Sequence, residues 1–380
     1  MKAKQRTTPM RERKTNALYI HIPFCTHICS YCDFPKVLYD AKWAMRYIEC
    51  LKKEILSYGI SSYQTIYIGG GTPSSLKEEE LESLLSFLCP FLKEDYEWTI
   101  ECNIENTTLE KLKLFKKYGV NRLSFGVQTF QNDLLKKMNR YHHKEDVFRV
   151  IEMAKTLGFN NINIDFIYGF ENERVEDIIN DLTIFSTLDV PHISIYALTV
   201  HPNTFFGIEH HQEAEDELSR TFYDVIVNWL EKHGYDRYEV SNFARPGFAS
   251  KHNQVYWQNN FYIGVGMGAS GYHQYIRYSN TKSITDYLKG ITRIEEEKEN
   301  LKDQMLYEIL LRLRTKEGIL KEEFLLRYGE KYWNLLLKVS QSFIENGSLL
   351  LKEKSVSLSK DAYFILDYIV REIYLKMDEE

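Results

Sequence analysis

Between residues 17 and 243, short β-branched runs alternate with amphipathic helical stretches, and this alternation leaves few folds open to the chain. The strand candidates are 17–24, 65–69, 98–103, 122–127, 161–168 and 192–199. Apolar positions at helical spacing fill 42–58 (Met45, Ile48, Leu51, Ile55), 78–88, 109–118, 144–157 and 175–188. Gly119, Gly158 and Gly234 stand where helix C-caps are expected. Strand–helix repetition at this spacing predicts parallel strands joined by right-handed crossovers. The fold class is therefore α/β, and six such units predict a partial (β/α)6, TIM-like barrel. In such folds the ligand sits at the carboxyl ends of the strands.

At 380 residues the chain exceeds the size at which one core keeps growing, so two domains are expected. Another helical pattern covers 214–233, followed by a segment rich in Gly and aromatics, 245–275. The stretch 293–302 is highly charged and reads as a linker or a solvated helix. From Gln304 onward helices dominate, with a small hairpin at 348–358, which is a winged-helix-like arrangement. The expected division is a disordered basic tail over 1–16, a core over 17–290 and a mostly helical C-terminal domain over 300–380.

The net charge of −6 argues against an extended nucleic-acid surface, where a basic face is expected. No apolar run is long enough to span a bilayer. The basic N-terminus lacks the apolar core of a signal peptide. With 6 cysteines in 380 residues a disulfide framework is not expected. Together these features predict a soluble, cytoplasmic protein with reduced thiols.

Three of those cysteines, Cys25, Cys29 and Cys32, stand in the pattern C-x3-C-x2-C directly after the first strand. The loop that carries them therefore lies on the ligand face. Thiolates suit iron–sulfur clusters or zinc. A 4Fe–4S cluster usually takes four cysteines, so three on one loop can hold three irons and leave the fourth open. Zinc usually takes four tetrahedral ligands, often as two separated pairs, and no second pair follows here; His21 or His27 would have to complete such a site. Cys50, Cys89 and Cys102 lie inside helix-like or strand-like patterns and read as buried small hydrophobes.

The stretch Tyr19-Ile20-His21-Ile22-Pro23-Phe24, with the cysteine triplet that follows it, resembles the radical S-adenosylmethionine superfamily. More narrowly, it resembles the family of oxygen-independent coproporphyrinogen III dehydrogenases and their relatives, the heme chaperones called HemW. The resemblance covers roughly 17–370. It implies a 4Fe–4S cluster on Cys25, Cys29 and Cys32, whose open iron chelates S-adenosylmethionine and whose electron cleaves the sulfonium. It also implies a set of cofactor contacts, beginning with Tyr19 and Tyr31. Gly69-Gly70-Gly71-Thr72-Pro73 follows the second strand and resembles the family's glycine motif, which places Gly70, Gly71 and Thr72 at the cofactor's amino group. Glu101, a carboxylate within an apolar run, falls on the family glutamate that binds the cofactor. The family pattern then usually continues Asn-Pro, whereas this chain has Asn103-Ile104. Gln128, Arg140 and Asp165 match a further glutamine, an arginine that steers the cofactor's carboxylate, and a ribose ligand.

Within the family, the resemblance gives the dehydrogenase a fourth cysteine where this chain has Phe34. His252-Asn253-Gln254-Val255-Tyr256-Trp257 instead looks like the mark of the heme chaperones. An imidazole beside aromatic rings suits a porphyrin iron, so 245–275 is expected to be a heme or substrate segment with His252 as a heme contact; the bland alternative is that His252 and Trp257 close the barrel bottom. The expected function is heme transfer to an acceptor protein, with heme as a further cofactor and an electron donor as partner. The alternative is oxidative decarboxylation of coproporphyrinogen III. A radical enzyme that modifies RNA or protein would need a basic face, for which only the short N-terminal tail speaks.

Overall fold

Each of the six expected strands is present, and each leads into a helix in the computed structural model, which describes Arg13 and residues 15–378. The chain enters through β1 (Ala17–Ile22) and two short strands, β2 (Phe24–Cys25) and β3 (Val37–Leu38), before α1 (Ala41–Ser57). Then come β4 (Tyr63–Gly70), α2 (Glu78–Leu88), β5 (Leu92–Asn103), α3 (Leu109–Tyr118) and β6 (Arg122–Gln128). α4 (Asn132–Lys137) and α5 (Lys144–Thr156) lead to β7 (Asn161–Tyr168), α6 (Val175–Thr187) and β8 (His192–Ala197). α7 (Phe205–Ile208) and α8 (Asp216–Lys232) precede two short strands, β9 (Asp236–Arg237) and β10 (Asn242–Ala244).

Local chemistry sets the helix ends. The Asp40 side chain accepts from the backbone N–H groups of Lys42 and Trp43 and so caps α1. Thr108 caps α3 at its start, and Gly119 ends it at φ 91°, a left-handed backbone that glycine adopts without strain. The buried stripe of α1 runs through Ala44, Tyr47, Ile48, Leu51 and Ile55, while Met45, expected on that stripe, faces outward.

The segment 245–275 supplies structure that the sequence pattern did not reveal. α9 (Lys251–Trp257) is followed by β11 (Tyr262–Val265), which pairs in parallel with β1. The parallel block is thus β11-β1-β4-β5-β6-β7-β8, one strand more than expected. It is extended antiparallel on one side by β12 (Ser270–His273), β13 (Ile276–Asn280) and β14 (Arg293–Lys298), and on the other by β10 and β9. The twelve strands run in one open order, β14-β13-β12-β11-β1-β4-β5-β6-β7-β8-β10-β9. β14 corrects the expected linker: its charged residues form a fully exposed edge strand, where charge discourages pairing with another chain.

Beyond α10 (Ile284–Tyr287), the C-terminal part comprises α11 (Leu301–Leu313), β15 (Ile319–Leu320), α12 (Lys321–Tyr328), α13 (Glu330–Glu345), β16 (Leu349–Leu351), β17 (Ser355–Leu358) and α14 (Leu366–Asp378). The expected hairpin is β16–β17, to which β15 adds a third strand. The tail expected over 1–16 lies outside the described residues except for Arg13, Thr15 and Asn16. Arg13 departs from that expectation: its buried guanidinium donates to Tyr272 at 2.6 Å and to Glu308 and Tyr328 at 3.2 Å each.

The two faces of the parallel strands have opposite chemistry. Ile66, Ile68, Trp98, Ile100, Leu123, Phe125, Ile162, Ile164 and Ile193 point out and join helix residues such as Leu81, Phe115, Val150 and Phe185 in the main core. The alternate residues point in, and they are mostly polar: Tyr67, Glu101, Arg122, Ser124, Gln128, Asn163, Asp165 and Ser194. Apolar burial therefore holds the wall together from outside, and the interior is left as a cavity into which these polar side chains project.

Candidate active site

The cysteine loop crosses the carboxyl ends of the strands, and its backbone is tied on three sides. Val37 N donates to Pro23 O at 2.8 Å and Tyr39 N to Cys25 O at 2.9 Å, which pairs β2 with β3. Ser30 N donates to Met138 O at 3.1 Å, and the Asn139 amide donates to Ile28 O at 2.8 Å. Phe206 N of α7 donates to Ser30 O at 3.0 Å. All six cysteines are free.

Cys25, Cys29 and Cys32 all line one cavity of about 370 Å³. Burial pushes the Cys25 thiol up to about 12 and raises Cys29 and Cys32 as well, while Arg140 beside Cys29 and Lys36 beside Cys32 act the other way. A metal binding here must displace the thiol protons, and the two cations beside the sulfurs favour the thiolates that result. Among the described residues no three His, Cys, Asp or Glu side chains are gathered for a single ion, the three cysteines included. His21 is unavailable to one, since its Nε2 meets Pro35 O at 2.7 Å and its Nδ1 the Tyr19 hydroxyl at 3.0 Å. Three soft donors from one loop suit a multi-iron cluster.

The glycine run is pressed against the base of this loop. Gly71 N donates to Ile22 O at 2.8 Å and Thr72 N to Phe24 O at 2.9 Å. A Cβ on Gly71 would fall 2.7 Å from Pro23 backbone and 3.0 Å from Cys25 Sγ, and one on Gly70, which has φ 112°, would meet the His21 ring at 2.6 Å. Thr72 Oγ1 lies 3.6 Å from Cys25 Sγ. Glu101 anchors the same turn: it accepts from Gly70 N at 2.9 Å and from the Tyr67 hydroxyl at 2.7 Å. Burial raises its carboxyl to about 7.

Gln128 ends β6 at φ 71°, a left-handed conformation that a non-glycine residue adopts at a cost and that turns its side chain into the cavity. Arg140 is held on several sides. It pairs with Glu105 through Nε (2.9 Å) and one terminal nitrogen (3.0 Å), and that nitrogen also donates to Gly126 O at 2.7 Å. Asp165 accepts from the Asn163 amide at 2.8 Å, and burial raises its carboxyl.

Of the residues singled out in the sequence, the cavity brings together Cys25, Cys29, Cys32, Tyr31, Gly70, Gly71, Thr72, Glu101, Gln128, Arg140 and Asp165. Two lie apart from its wall. Tyr19 packs against Tyr67, and its hydroxyl is engaged by His21. His252, the expected heme contact, is 1 % exposed; its Nδ1 bonds Thr65 Oγ1 at 2.8 Å, and its Nε2 bonds the Tyr256 hydroxyl at 2.7 Å. Glu97 receives Ser250 Oγ, Lys251 N and His252 N at the start of α9, so this helix plugs the amino-terminal end of the barrel. From the same motif it is Asn253 that lines the cavity. The sequence reading also missed Tyr67, Arg122, Ser124, Asn163 and Ser194. The signal that could have found them is their shared inward parity with Glu101, Gln128 and Asp165.

Residues 19–183 match the family model of the radical SAM superfamily, and residues 300–365 match that of the HemN C-terminal domain. The chain is 40 % identical over 378 residues to the heme chaperone HemW of Lactococcus lactis, covering 94 % of this chain and 99 % of that one. It is 37 % identical to the heme chaperone HemW of Bacillus subtilis, over 90 % and 94 % of the two chains, and 30 % identical to that of Escherichia coli, over 82 % and 86 %. Among solved structures it shares the fold of coproporphyrinogen III oxidase (HemN) from Escherichia coli. The TM-score is 0.83 at 21 % identity, covering 95 % of this chain and 90 % of the other.

Proposed function

The chain belongs to the HemW heme-chaperone family of radical SAM proteins, and from that premise we propose that it binds a 4Fe–4S cluster and S-adenosylmethionine and delivers heme to an acceptor protein. The observation that carries the reading is the convergence of Cys25, Cys29 and Cys32 with Gly70, Gly71, Thr72, Glu101, Gln128, Arg140 and Asp165 on one cavity.

In this reading the three cysteines hold the cluster, which supplies an open iron and an electron when bound. The protein's part is to place the cofactor and keep water away from it. Glu101 holds the glycine turn at its amide and presents a carboxylate to the cofactor's polar groups. Gln128 offers an unbonded amide. Arg140, whose charge is largely met by Glu105, shapes the wall beside Tyr31. Asp165 faces the ribose. We read 17–290 as the unit that carries this chemistry and 300–380 as a second unit beside it.

The cavity, at about 370 Å³, is near the small end of ligand pockets. With the cluster and a nucleoside cofactor already assigned to it, we read heme as binding outside the barrel interior. No described helix is long and apolar enough to cross a membrane. Six free cysteines fit a reducing compartment, and we place the protein in the cytoplasm. The partners are an electron donor and a heme acceptor.

The test is anaerobic titration of heme into cluster-reconstituted protein, followed by Soret absorbance, with a parallel assay for protoporphyrinogen from coproporphyrinogen. Stoichiometric heme binding without porphyrinogen turnover supports the chaperone. Turnover without heme binding overturns it in favour of the dehydrogenase.

A further inference from the structure

Arg122 opens β6 and enters the barrel from its amino-terminal end, where it is 1 % exposed and lines the cavity. Its buried Nε has no partner, and its guanidinium makes no hydrogen bond or ion pair with any described residue. Its strand neighbours at the same level also hold unsatisfied buried atoms, there a hydroxyl and an amide oxygen rather than a donor nitrogen. Thr99 of β5 and Asn161 of β7 are its register partners, and Thr99 Oγ1 and Asn161 Oδ1 are also buried without a partner. An unbonded buried cation is costly, and buried polar atoms are almost always satisfied. Arg122 lines the cavity whereas Thr99 and Asn161 do not, so it is the unmet guanidinium donor that points to a bound acceptor.

The fixed charges around Arg122 do not supply that group. Glu101 and Asp165 feel its charge, but neither is bonded to it. Glu101 is engaged by Tyr67 and Gly70, and Asp165 by Asn163. His192 and His252 also face its field, and each has both ring nitrogens bonded elsewhere. Tyr238 faces it too, and its hydroxyl meets His192. Ser124, two residues along the same strand face, and Asn253 of α9 line the cavity with Arg122 and add neutral hydrogen-bonding groups.

We propose that the floor of this cavity is a separate ligand site for the carboxylate of a small molecule, gripped by Arg122 and flanked by Ser124 and Asn253. A guanidinium presents parallel N–H donors that match a carboxylate's two oxygens. The site lies at the opposite end of the strands from the cysteine loop and Gly70–Thr72. Its ligand is small because the cavity is. The carboxylate belongs to a free metabolite, and the test sets it against the cofactor's own carboxylate. The inference goes beyond the heme reading and stands without it.

The test uses the full chain with its cluster reconstituted, under anaerobic conditions. Acetate binding is read by saturation-transfer NMR, S-adenosylmethionine binding by equilibrium dialysis, heme binding by Soret absorbance and cluster loading by iron content. Wild type binds acetate with S-adenosylmethionine present, and Arg122→Gln weakens acetate about tenfold or more, with iron content, heme and S-adenosylmethionine binding unchanged. Asn253→Asp, which adds a negative charge to the lining of the same cavity, weakens acetate in the same direction and keeps the test alive if the first variant fails to fold. Absence of acetate binding in wild type, or equal binding in a folded variant, overturns the proposal. Displacement of acetate by S-adenosylmethionine, with both lost in Arg122→Gln, assigns the carboxylate to the cofactor and overturns a separate site. Heme binding that fails everywhere while acetate behaves as expected removes the chaperone reading alone.

Discussion

His252 Nδ1 and Thr65 Oγ1 stand 2.8 Å apart in the closed end of the barrel, and the other ring nitrogen of His252 is occupied by Tyr256. An imidazole with both nitrogens bonded has no lone pair to offer an iron. His252→Ala should therefore act on stability and not on heme. Loss of a buried ring and two hydrogen bonds costs about 2–4 kcal/mol, read as a lower urea midpoint. Heme stoichiometry per folded molecule should match wild type. A fully folded variant that has lost its Soret titration would return His252 to the heme site.

The same burial makes the fold sensitive to acid. Burial pushes His252 down to about 3 and His21 to about 4, and holds His192 well below its usual value. The unfolded chain takes up these protons near the ordinary histidine value of about 6.5, while the folded chain does not. The unfolded state thus binds more protons, and stability falls as pH drops from about 6.5 toward the folded values. Each histidine contributes up to about 1.4 kcal/mol per pH unit in that window and nothing to the slope above it. Urea unfolding of metal-free protein across the window should show the decline, and His252→Gln should make it shallower. An unchanged slope in the variant would count against the buried neutral ring.

Gly71 makes the cysteine loop depend on a residue that ligates nothing. A Cβ there meets Pro23 backbone at 2.7 Å and Cys25 Sγ at 3.0 Å, and neither can move without shifting the loop. Gly71→Ala should lose cluster iron and its visible absorbance to about the extent that Cys25→Ala does, with far-UV circular dichroism retained. Normal iron content in Gly71→Ala would mean that the loop is looser than this packing implies. Alanine at Cys50, Cys89 or Cys102 should leave the iron in place.

The wall of the barrel was legible because its two faces alternate: β-branched residues such as Ile66, Ile68, Ile162 and Ile164 point out, and Glu101, Gln128 and Asp165 point in. The cysteine loop was legible because three thiols at that spacing have few other uses. The floor was not. Neighbours on a helix diverge by about 100°, so the motif in α9 could not reveal that Asn253 faces the cavity and His252 the plug. β11 escaped because two of the residues around Tyr262–Val265, Gly264 and Gly266, disguise a four-residue strand as a loop. β14 escaped because an exposed edge strand has no buried face to alternate. Arg122 reads in sequence as an ordinary charge beside a turn, and only the folded chain shows that its buried Nε is unbonded.

Glu101 predicts a pH dependence for cofactor binding. Its carboxyl, raised to about 7 by burial, ionises near neutrality. If the charged form holds the cofactor's polar groups, S-adenosylmethionine affinity rises with pH through that value. In Glu101→Gln the amide oxygen can still accept from Gly70 N while the amide nitrogen donates to the Tyr67 hydroxyl, so the glycine turn is kept and the charge alone is lost. Affinity should fall about tenfold and lose its pH dependence. Equilibrium dialysis from about pH 6 to about pH 8 decides it: a flat wild-type profile would show that the carboxylate's charge is not what binds.

Glu105 and Arg140 form an ion pair in the barrel wall, 2.9 Å apart. Burial alone would raise the Glu105 carboxyl, but His142 and Arg140 hold it far below the usual range. Glu105 also accepts from Tyr141 N at 3.3 Å, so it ties the Arg140 segment to the turn after β5. Glu105→Ala leaves a buried guanidinium without its carboxylate and should cost about 3–5 kcal/mol. Arg140→Met alone leaves the carboxylate with His142 and the Tyr141 amide and should cost less. Combining Arg140→Met with Glu105→Ala removes both charges, so the double variant should be more stable than Glu105→Ala alone, which is a strongly non-additive pair. Urea unfolding of the three variants tests this, and simple additivity would mean that water already solvates the pair. Cofactor binding then separates two roles for Arg140. If the double variant recovers stability but still binds S-adenosylmethionine weakly, the guanidinium itself touches the cofactor. If binding recovers with stability, Arg140 only holds the wall in place.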